Sequence, residues 1–372
     1  MSPIYLDHNA STPIALEVAA AMRPLLEEGY GNPSSGHWAG APAKVAVETS
    51  RGQVAALLGC RADEIVFTSG GSEANNLALK GLYFRRNFRP SHLIVSAIEH
   101  PATLEPCRFL ERLGAKVTYV PVDGAGVVDP DDIRKAITKD TFLISVMHAN
   151  NEVGTIQPIA EIAKIAREHG IPLHSDAAQS AGKIPTRVDD LGVDLLSIAG
   201  HKAYAPKGVG ALYIRCGLAV EPLVHGAGHE SGRRAGTESA LLTTGLGKAC
   251  EISRPWIGAT GVQRLRDRFW ENLRATFGER VALNGHADLR LPNTLNVSFV
   301  GRVGADVLAS MPEVAASTGS ACHAGEIALS PVLKAMGIAP EVGMGAIRFS
   351  LGRGTTQEEI DAVVDRLKRA FA

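Results

Sequence analysis

Three polar segments follow apolar, strand-like runs in this sequence, and the first could bind an anion. TSGGSEANN, residues 68–76, places Gly70, Gly71 and Ser72 directly before a helical pattern. Free backbone N–H groups and the helix dipole at such a position favour negative charge. A plain capped turn explains the same residues equally well. Because the chain has neither a Walker A motif nor GxGxxG after a strand, a nucleotide site is not indicated.

The other two segments contribute a carboxylate and an amine. In HSDAAQSAGK, residues 174–183, Asp176 ends an apolar strand, where a carboxylate is costly unless it is paired. In SIAGHKAYAPKG, residues 197–208, Lys202 lies next to His201. A helix cap and a solvated lysine are the plain alternatives. Ligands of open α/β sheets bind beyond the carboxyl ends of the strands. A phosphate cradle, a pyridinium partner and a Schiff-base amine in that order are typical of a pyridoxal phosphate site.

A cysteine in an unusual setting is the fourth chemical feature. Cys322 lies in STGSACHAGE, a run of small and polar residues, whereas a structural cysteine usually has apolar neighbours. The five cysteines are scattered without CxxC spacing, so neither a zinc site nor a disulfide framework is predicted, and a reducing cytoplasm fits best. We expect the other four cysteines to be packing residues, since they lie within helix or strand patterns: Cys60, Cys107, Cys216 and Cys250.

Helical and strand patterns alternate from about residue 43, which predicts a largely parallel sheet covered on both faces. The first helix should end at Gly59, the next should be capped by Ser72, and Pro101 should open a third. Closely spaced strands near 191–214 should add an antiparallel edge. One later helix places an i, i+3, i+4, i+7 set on one face, namely Ile159, Ile162, Ala163 and Ala166.

The pattern changes after about residue 240, where long helices precede a mixed order of strands and helices. We predict an α/β chain with a large, mostly parallel-sheet domain over residues 16–245 and a smaller α+β domain over residues 246–372. Residues 1–15 should join the small domain.

The composition excludes some classes of partner. The 372 residues are 45% hydrophobic and 21% charged, with a net charge of −1, so no general field attracts nucleic acid or an anionic membrane. The first residues lack the features of a signal peptide, and no apolar run approaches the roughly 18 residues of a membrane-spanning helix.

Ten motifs together resemble those of the NifS/IscS-like cysteine desulfurases, a family of fold-type-I pyridoxal phosphate enzymes. They cover nearly the whole chain in the family's order: YLDHNASTP, GNPSS, FTSGGSEANN, EH at 99–100, HANNEVGTIQP, DAAQSAGK, GHK, RAGTE, GSAC and IRFSLGR. The resemblance implies a cytoplasmic homodimer that binds pyridoxal 5'-phosphate.

The resemblance also assigns roles to individual residues. Lys202 would bind the cofactor covalently and later move the Cα proton of the substrate, and Asp176 would pair with the pyridine N–H. Arg348 would bind the substrate carboxylate, aided by Asn32. The remaining cofactor contacts would come from His100 stacking on the ring, Gln179 and Asn151 near the ring oxygen, Gly71, Ser72 and His201 at the phosphate, and Thr237 from a second subunit.

In the family, the cysteine of the GSAC loop is the nucleophile. Cys322 would attack the sulfur of bound L-cysteine, keep it as a persulfide and pass it to an acceptor protein, for which an iron–sulfur scaffold is one candidate. His323 could favour the thiolate, or it could be a solvated loop histidine.

Some positions also resemble selenocysteine lyase, which makes L-selenocysteine the alternative substrate. They are Ala199 in place of a phosphate-binding serine, His323 after the cysteine, and SPVL at 330–333. Two further alternatives are a non-catalytic sulfur carrier, which would be colourless, and an aminotransferase of the same fold, which would not need Cys322.

Overall fold

The computed structural model describes residues 3–87, 89–319, 322–323 and 326–371, with the backbone alone for residues 322–323 and 326–327. The strands are β1 Ile4–Tyr5, β2 Ile65–Thr68, β3 His92–Ser96, β4 Lys116–Val120, β5 Thr141–Ser145, β6 Leu173–Asp176, β7 Leu195–Ala199, β8 Gly210–Ile214, β9 Val281–Asn284, β10 Thr294–Phe299, β11 Val314–Ala315, β12 Cys322–His323, β13 Glu326–Ile327 and β14 Ala346–Ser350.

The helices alternate with the first group of strands and surround the second. They are α1 Leu16–Glu27, α2 Gly40–Leu58, α3 Gly71–Arg85, α4 Pro101–Arg112, α5 Pro130–Ala136, α6 Ile159–Glu168, α7 Val188–Leu191, α8 Ala240–Ser253, α9 Gly261–Phe277, α10 Gly304–Ala309, α11 Pro331–Ala335, α12 Pro340–Gly343 and α13 Gln357–Ala370. Within the described residues, no helix has both the length and the apolar character that crossing a membrane requires.

A seven-stranded sheet of order β2-β8-β7-β6-β5-β3-β4 is the largest among the described residues. Its strands from β7 to β4 pair in parallel, and β8 runs antiparallel to both β7 and β2. The predicted mostly parallel sheet is therefore confirmed. The antiparallel strand β8 is not at the edge of the sheet, however. It pairs with β7 on one side and with β2 on the other, so β2 is the edge strand.

Successive residues of the central strands point to opposite faces, and each face has its own apolar core. Ile94 packs in the core with α2, α5 and α6, whereas Leu93 and Val95 pack with α3 and α4. Burial of each large aliphatic side chain is worth about 1.5–3 kcal/mol. Because helices cover both faces, the polar residues of the loops collect at the strand ends.

A second core belongs to the C-terminal part of the chain. The three-stranded sheet β14-β10-β9 is antiparallel and packs through Phe349 and Val297 against α9 and α13. β1 pairs with β11, and Leu6 is fully buried in this same core. The division at 15/16 and 245/246 stays a prediction; α8 runs across the second boundary.

Most local expectations are confirmed, and one is wrong. α2 ends at Gly59, whose φ of 69° is left-handed, and Pro101 is the first residue of α4. Ser72 does not cap α3, because the N-cap is Gly70 and Ser72 lies inside the first turn. The apolar set on α6 is buried as predicted, at Ile159, Ile162, Ala163 and Ala166.

Candidate active site

A cavity of about 310 Å³ lies at the carboxyl ends of the parallel strands. Asp176 is the last residue of β6, and Lys202 closes a short 3-10 turn directly after β7. The cavity is lined by residues that are far apart in the sequence. They are Asn9, Ala10, Gly71, Ser72, His100, Ala102, Met147, Ala149, Asn151, Asp176, Ala178, Gln179, Ala199, His201, Lys202 and Arg348.

The structure brings most of the predicted site residues to this cavity. They are Gly71, Ser72, His100, Asn151, Asp176, Gln179, His201, Lys202 and Arg348. Asn32 and Thr237 are exposed and do not line it. The backbone of Cys322 pairs with that of Ile327, and its side chain lies outside the part of the chain that is described.

Asp176 is a buried carboxylate held by neutral donors. Its Oδ1 accepts a hydrogen bond from the Ala178 backbone N–H (2.8 Å), and its Oδ2 accepts one from Asn75 Nδ2 (2.7 Å). Asn75 Nδ2 also donates to Thr103 Oγ1 at 3.1 Å, which holds the amide in place. Neutral donors leave the charge of Asp176 in the cavity, and a carboxylate retains further acceptor positions. It can therefore pair with a protonated ring nitrogen.

Lys202 is an amine with an altered proton affinity. Its Nζ donates to the carbonyls of Asn9 (2.5 Å) and Ala10 (2.8 Å). Burial and, after it, the positive charge of Arg348 lower the pKa of Lys202 to about 8, although Asp7 and Asp176 oppose the shift. A lysine with this pKa has a substantial neutral fraction near pH 8, and only the neutral amine is a nucleophile.

Two histidines near Lys202 are neutral at pH 7. His100 Nδ1 accepts the Ala102 backbone N–H at 3.0 Å, so its ring proton is on Nε2. Burial lowers the pKa of His100, and the charge of Lys202 lowers it further. Burial and Lys202 also lower the pKa of His201 to about 4. A neutral ring adds no further positive charge to a cavity that already contains Lys202 and Arg348.

The N-terminus of α3 forms the anion-binding side of the cavity. Gly70 has φ 151° and ψ −178°, a backbone conformation that is essentially limited to glycine. A Cβ at Gly71 would lie 3.3 Å from the Ala199 Cβ, so the bare glycine leaves room at the first amides of the helix. Arg234 Nε donates to Glu73 Oε1 at 2.8 Å, which neutralises the carboxylate in the first turn. These features fit a phosphate group.

Arg348, on β14 of the three-stranded sheet, is already paired where it lines the cavity. One terminal nitrogen, Nη2, donates to Asp7 Oδ1 at 2.8 Å, and the other, Nη1, donates to the Asn151 carbonyl at 2.9 Å. Its Nε is buried without a partner among the described residues. Asp7 Oδ2 also accepts from Ser317 Oγ at 3.2 Å. Arg348 lines the cavity, and a guanidinium can bind a carboxylate through two of its N–H groups.

Comparisons with known proteins agree with this geometry. The sequence model of the aminotransferase class-V family matches residues 4–363. Cysteine desulfurase IscS of Dictyoglomus turgidum is 48% identical over 370 residues, covering 98% of this chain and 94% of that protein. The chain belongs to the aminotransferase class-V family, among its NifS/IscS-like cysteine desulfurases.

Two solved structures of similar proteins have the same fold. A NifS-like protein superimposes with a TM-score of 0.93 at 37% identity, covering 99% of both chains. A structure described as SspA in complex with cysteine has a TM-score of 0.84 at 39% identity, covering 94% of this chain and 98% of that one. The predicted class-V, fold-type-I architecture is therefore confirmed.

Motif reading missed several residues of this class-V site. The motif YLDHNASTP predicts no role for Asp7 or Asn9, yet Asp7 contacts Arg348 and Asn9 contacts Lys202. Glu152, in HANNEVGTIQP, accepts a hydrogen bond from Ser330 Oγ at 2.5 Å. Burial raises the pKa of Glu152, and the Ser330 bond opposes this shift. The motifs themselves are the sequence signal that could have found these residues, since Asp7, Asn9 and Glu152 each lie inside one of them.

The four cysteines outside the GSAC segment differ in burial. Cys107 and Cys250 are buried, as predicted, and burial raises the pKa of Cys250 to about 12. Cys60 is half-buried, with a pKa likewise raised to about 12 by burial. The expectation for Cys216 is wrong, because it lies in the turn after β8 and is exposed.

Proposed function

We propose that this chain is a pyridoxal phosphate-dependent cysteine desulfurase that converts L-cysteine to L-alanine and keeps the sulfur as a persulfide on Cys322. Cysteine desulfurase is the activity class of its family. The observation that carries the proposal is the convergence of Lys202, Asp176 and Arg348 on one cavity. The similarity to a protein solved with cysteine supports the substrate.

The residues of the cavity fit the cofactor. The first amides of α3 with Ser72 and His201 would hold the phosphate. Asp176 would pair with the ring nitrogen, His100 would stack on the ring, and Gln179 with Asn151 would bind near the ring oxygen. When bound, pyridoxal phosphate withdraws electrons from the amino acid attached to it.

Lys202 has two tasks in this proposal. As a neutral amine it would hold the cofactor, and as a free amine it would accept the substrate Cα proton. Its hydrogen bonds to the Asn9 and Ala10 carbonyls support this role, since these carbonyls would hold the amine when it is free. The pKa of about 8 allows both gain and loss of a proton near neutral pH.

Arg348 would orient the substrate through its carboxylate. Because Asp7 already pairs with Arg348, a bound substrate carboxylate either shares the guanidinium or replaces Asp7 as its partner. In both cases, substrate binding is favourable only if the substrate carboxylate makes the bidentate contact that a planar guanidinium allows. This requirement favours α-amino acids over amines without a carboxylate.

The sulfur step uses the thiolate of Cys322. It attacks the substrate Sγ, the Cys322 S–S bond forms, and the substrate Cβ–S bond breaks with its electron pair on carbon. That carbon then takes a proton, and L-alanine leaves. The balance is one L-cysteine and one thiol in, one L-alanine and one persulfide out, without an external oxidant.

Selenocysteine lyase activity is the alternative, supported by Ala199, by His323 after the cysteine and by SPVL at 330–333. A selenol is more acidic than a thiol and the carbon–selenium bond is weaker, so selenium release should depend less on Cys322.

The partners belong to the same proposal. Thr237 is exposed on a loop that Arg234 ties to Glu73 at the phosphate side of the cavity, which is compatible with Thr237 reaching the site of a second subunit. A homodimer, a protein sulfur acceptor and a cytoplasmic location complete the proposal.

The test is a product assay with matched variants. The wild-type protein should be yellow, should form L-alanine from L-cysteine, and should carry one additional sulfur on the peptide that contains Cys322. Cys322→Ala should abolish sulfur release from L-cysteine and keep part of any activity on L-selenocysteine. Equal loss on both substrates would contradict this account of the alternative. Comparison of kcat/KM on the two amino acids assigns the preferred one.

A further inference from the structure

Lys183 is an amine beside the active site to which the recognised motifs assign no role. Its Nζ donates to Gln179 Oε1 at 3.1 Å and to Asn9 Oδ1 at 3.4 Å. Burial and the positive charges of Lys202 and Arg348 lower the pKa of Lys183 to about 7. An amine removed from water is costly unless its hydrogen bonds are made, and here both named partners are side-chain oxygens.

The two neighbours of Gln179 determine which way its amide points. Gln179 Nε2 donates to the backbone carbonyl of Asn9 at 2.9 Å, and a carbonyl can only accept. On the other side Lys183 meets Oε1, and lysine donates whether it is charged or neutral. The opposite orientation would place two carbonyl oxygens against each other. The amide oxygen therefore faces Lys183, and the amide nitrogen faces Asn9.

This orientation leaves one donor unused. A glutamine amide has two N–H groups, and the Asn9 carbonyl accepts only one of them. Gln179 also lines the cavity. The remaining N–H is therefore the group that Gln179 can offer to a molecule in the cavity, and a hydrogen-bond acceptor must meet it.

We propose that Lys183 is a positioning residue that holds the Gln179 amide with its free N–H available to the cavity, so that the site selects a ring with an acceptor oxygen at this place. The inference rests on the proposed function, since the ring oxygen of pyridoxal phosphate has the required chemistry. The inference explains why the bound ring needs that oxygen: the oxygen accepts the free N–H of Gln179.

Asn9 does not depend on Lys183 for its position. Its Oδ1 also accepts from Asn293 Nδ2 at 3.0 Å, and its Nδ2 donates to Thr294 Oγ1 at 2.8 Å. Removal of the Lys183 amine should therefore leave the Asn9 carbonyl and Lys202 in place. The change should be confined to the amide of Gln179, which keeps its bond to the Asn9 carbonyl but loses the donor that holds its Oε1.

The experiment compares two ligands on cofactor-free protein: pyridoxal phosphate and its analogue without the ring hydroxyl. Both ligands have the aldehyde and the phosphate, so the ratio of their dissociation constants measures the contribution of the ring oxygen to binding. Wild-type protein should prefer pyridoxal phosphate, and Lys183→Met should reduce this preference about tenfold, the scale of one lost hydrogen bond at a buried site. Lys183→Ala tests the same loss with a smaller side chain.

A double variant separates positioning from general damage. Gln179→Ala should lose the preference to the same extent, and Lys183→Met added to Gln179→Ala should cause no further loss. Lys164→Met, at an exposed lysine of α6, should behave as wild type. An unchanged preference in Lys183→Met would overturn the inference and leave the proposed function standing. Failure of the wild-type protein to bind pyridoxal phosphate would overturn both.

Discussion

The two sides of the active-site cavity hold their charges differently. On the sheet side, neutral donors from Asn75 and Ala178 surround the carboxylate of Asp176. On the side that β14 contributes, the cation of Arg348 is already paired with the anion of Asp7. Neutral dipoles leave a charge available to one permanent partner, whereas an ion pair can exchange one carboxylate for another. The sheet side therefore suits a retained cofactor, and the Arg348 side suits a substrate that leaves after each turnover.

The largest expected effect tests the sheet side. Lys202→Ala should reduce L-alanine formation on the order of 10⁴-fold, because covalent attachment and the proton acceptor are both lost. The visible absorbance of the purified protein should disappear or shift. Lys164→Ala is the control for loss of an exposed lysine. A Lys202→Ala protein with wild-type turnover would contradict the assignment.

Asp176→Asn keeps the shape of the side chain and removes its charge. We expect kcat to fall by about 10²–10³, the scale of losing one electrostatic partner in a catalytic site. Asn75→Ala leaves the carboxylate but removes one of its donors, so its effect should be smaller. Steady-state rates on L-cysteine measure both variants. If Asn75→Ala were the more damaging change, the charge of Asp176 would not be the decisive feature.

Arg348→Lys keeps the positive charge but cannot make a bidentate contact. KM for L-cysteine should rise about 10- to 100-fold, as expected for a lost charged hydrogen bond, while kcat changes less. Asp7→Asn removes the competing anion, and its KM should change less than that of Arg348→Lys. A fall in kcat at constant KM in Arg348→Lys would assign the residue to the chemical step instead of binding.

The smallest effect is a pair of opposite pKa shifts at Lys202. Binding of pyridoxal phosphate to cofactor-free protein requires the neutral amine, so its rate should rise as the pH increases through about 8. Arg348→Met removes a positive charge that lowers the pKa of Lys202, so the midpoint should move up. Asp7→Asn removes a negative charge that raises it, so the midpoint should move down. Stopped-flow absorbance against pH measures both, and shifts in the same direction would exclude this electrostatic account.

The sequence predicted the elements well where local physics decides them. Glycine at the end of α2, proline at the start of α4 and the apolar face of α6 are local signals, and each is confirmed. Two expectations were wrong because an adjacent strand or residue determined the structure at that place. β8 lies inside the sheet since β2 pairs with it, and Ser72 is within the helix since Gly70 already forms the N-cap.

For the proposed active site, the sequence by itself supplied the chemical groups: an amine at Lys202, a carboxylate at Asp176, a guanidinium at Arg348 and a thiol at Cys322. Their order along the chain and their motifs were enough to place the protein in its family. Only the tertiary structure decided how those groups are held, including the Asp7–Arg348 pair and the contacts of the Asn9 carbonyl with Lys202 and Gln179. The reason is physical: hydrogen bonds and ion pairs between residues hundreds of positions apart, such as that of Asp7 with Arg348, depend on the packing of the whole fold and leave no local pattern.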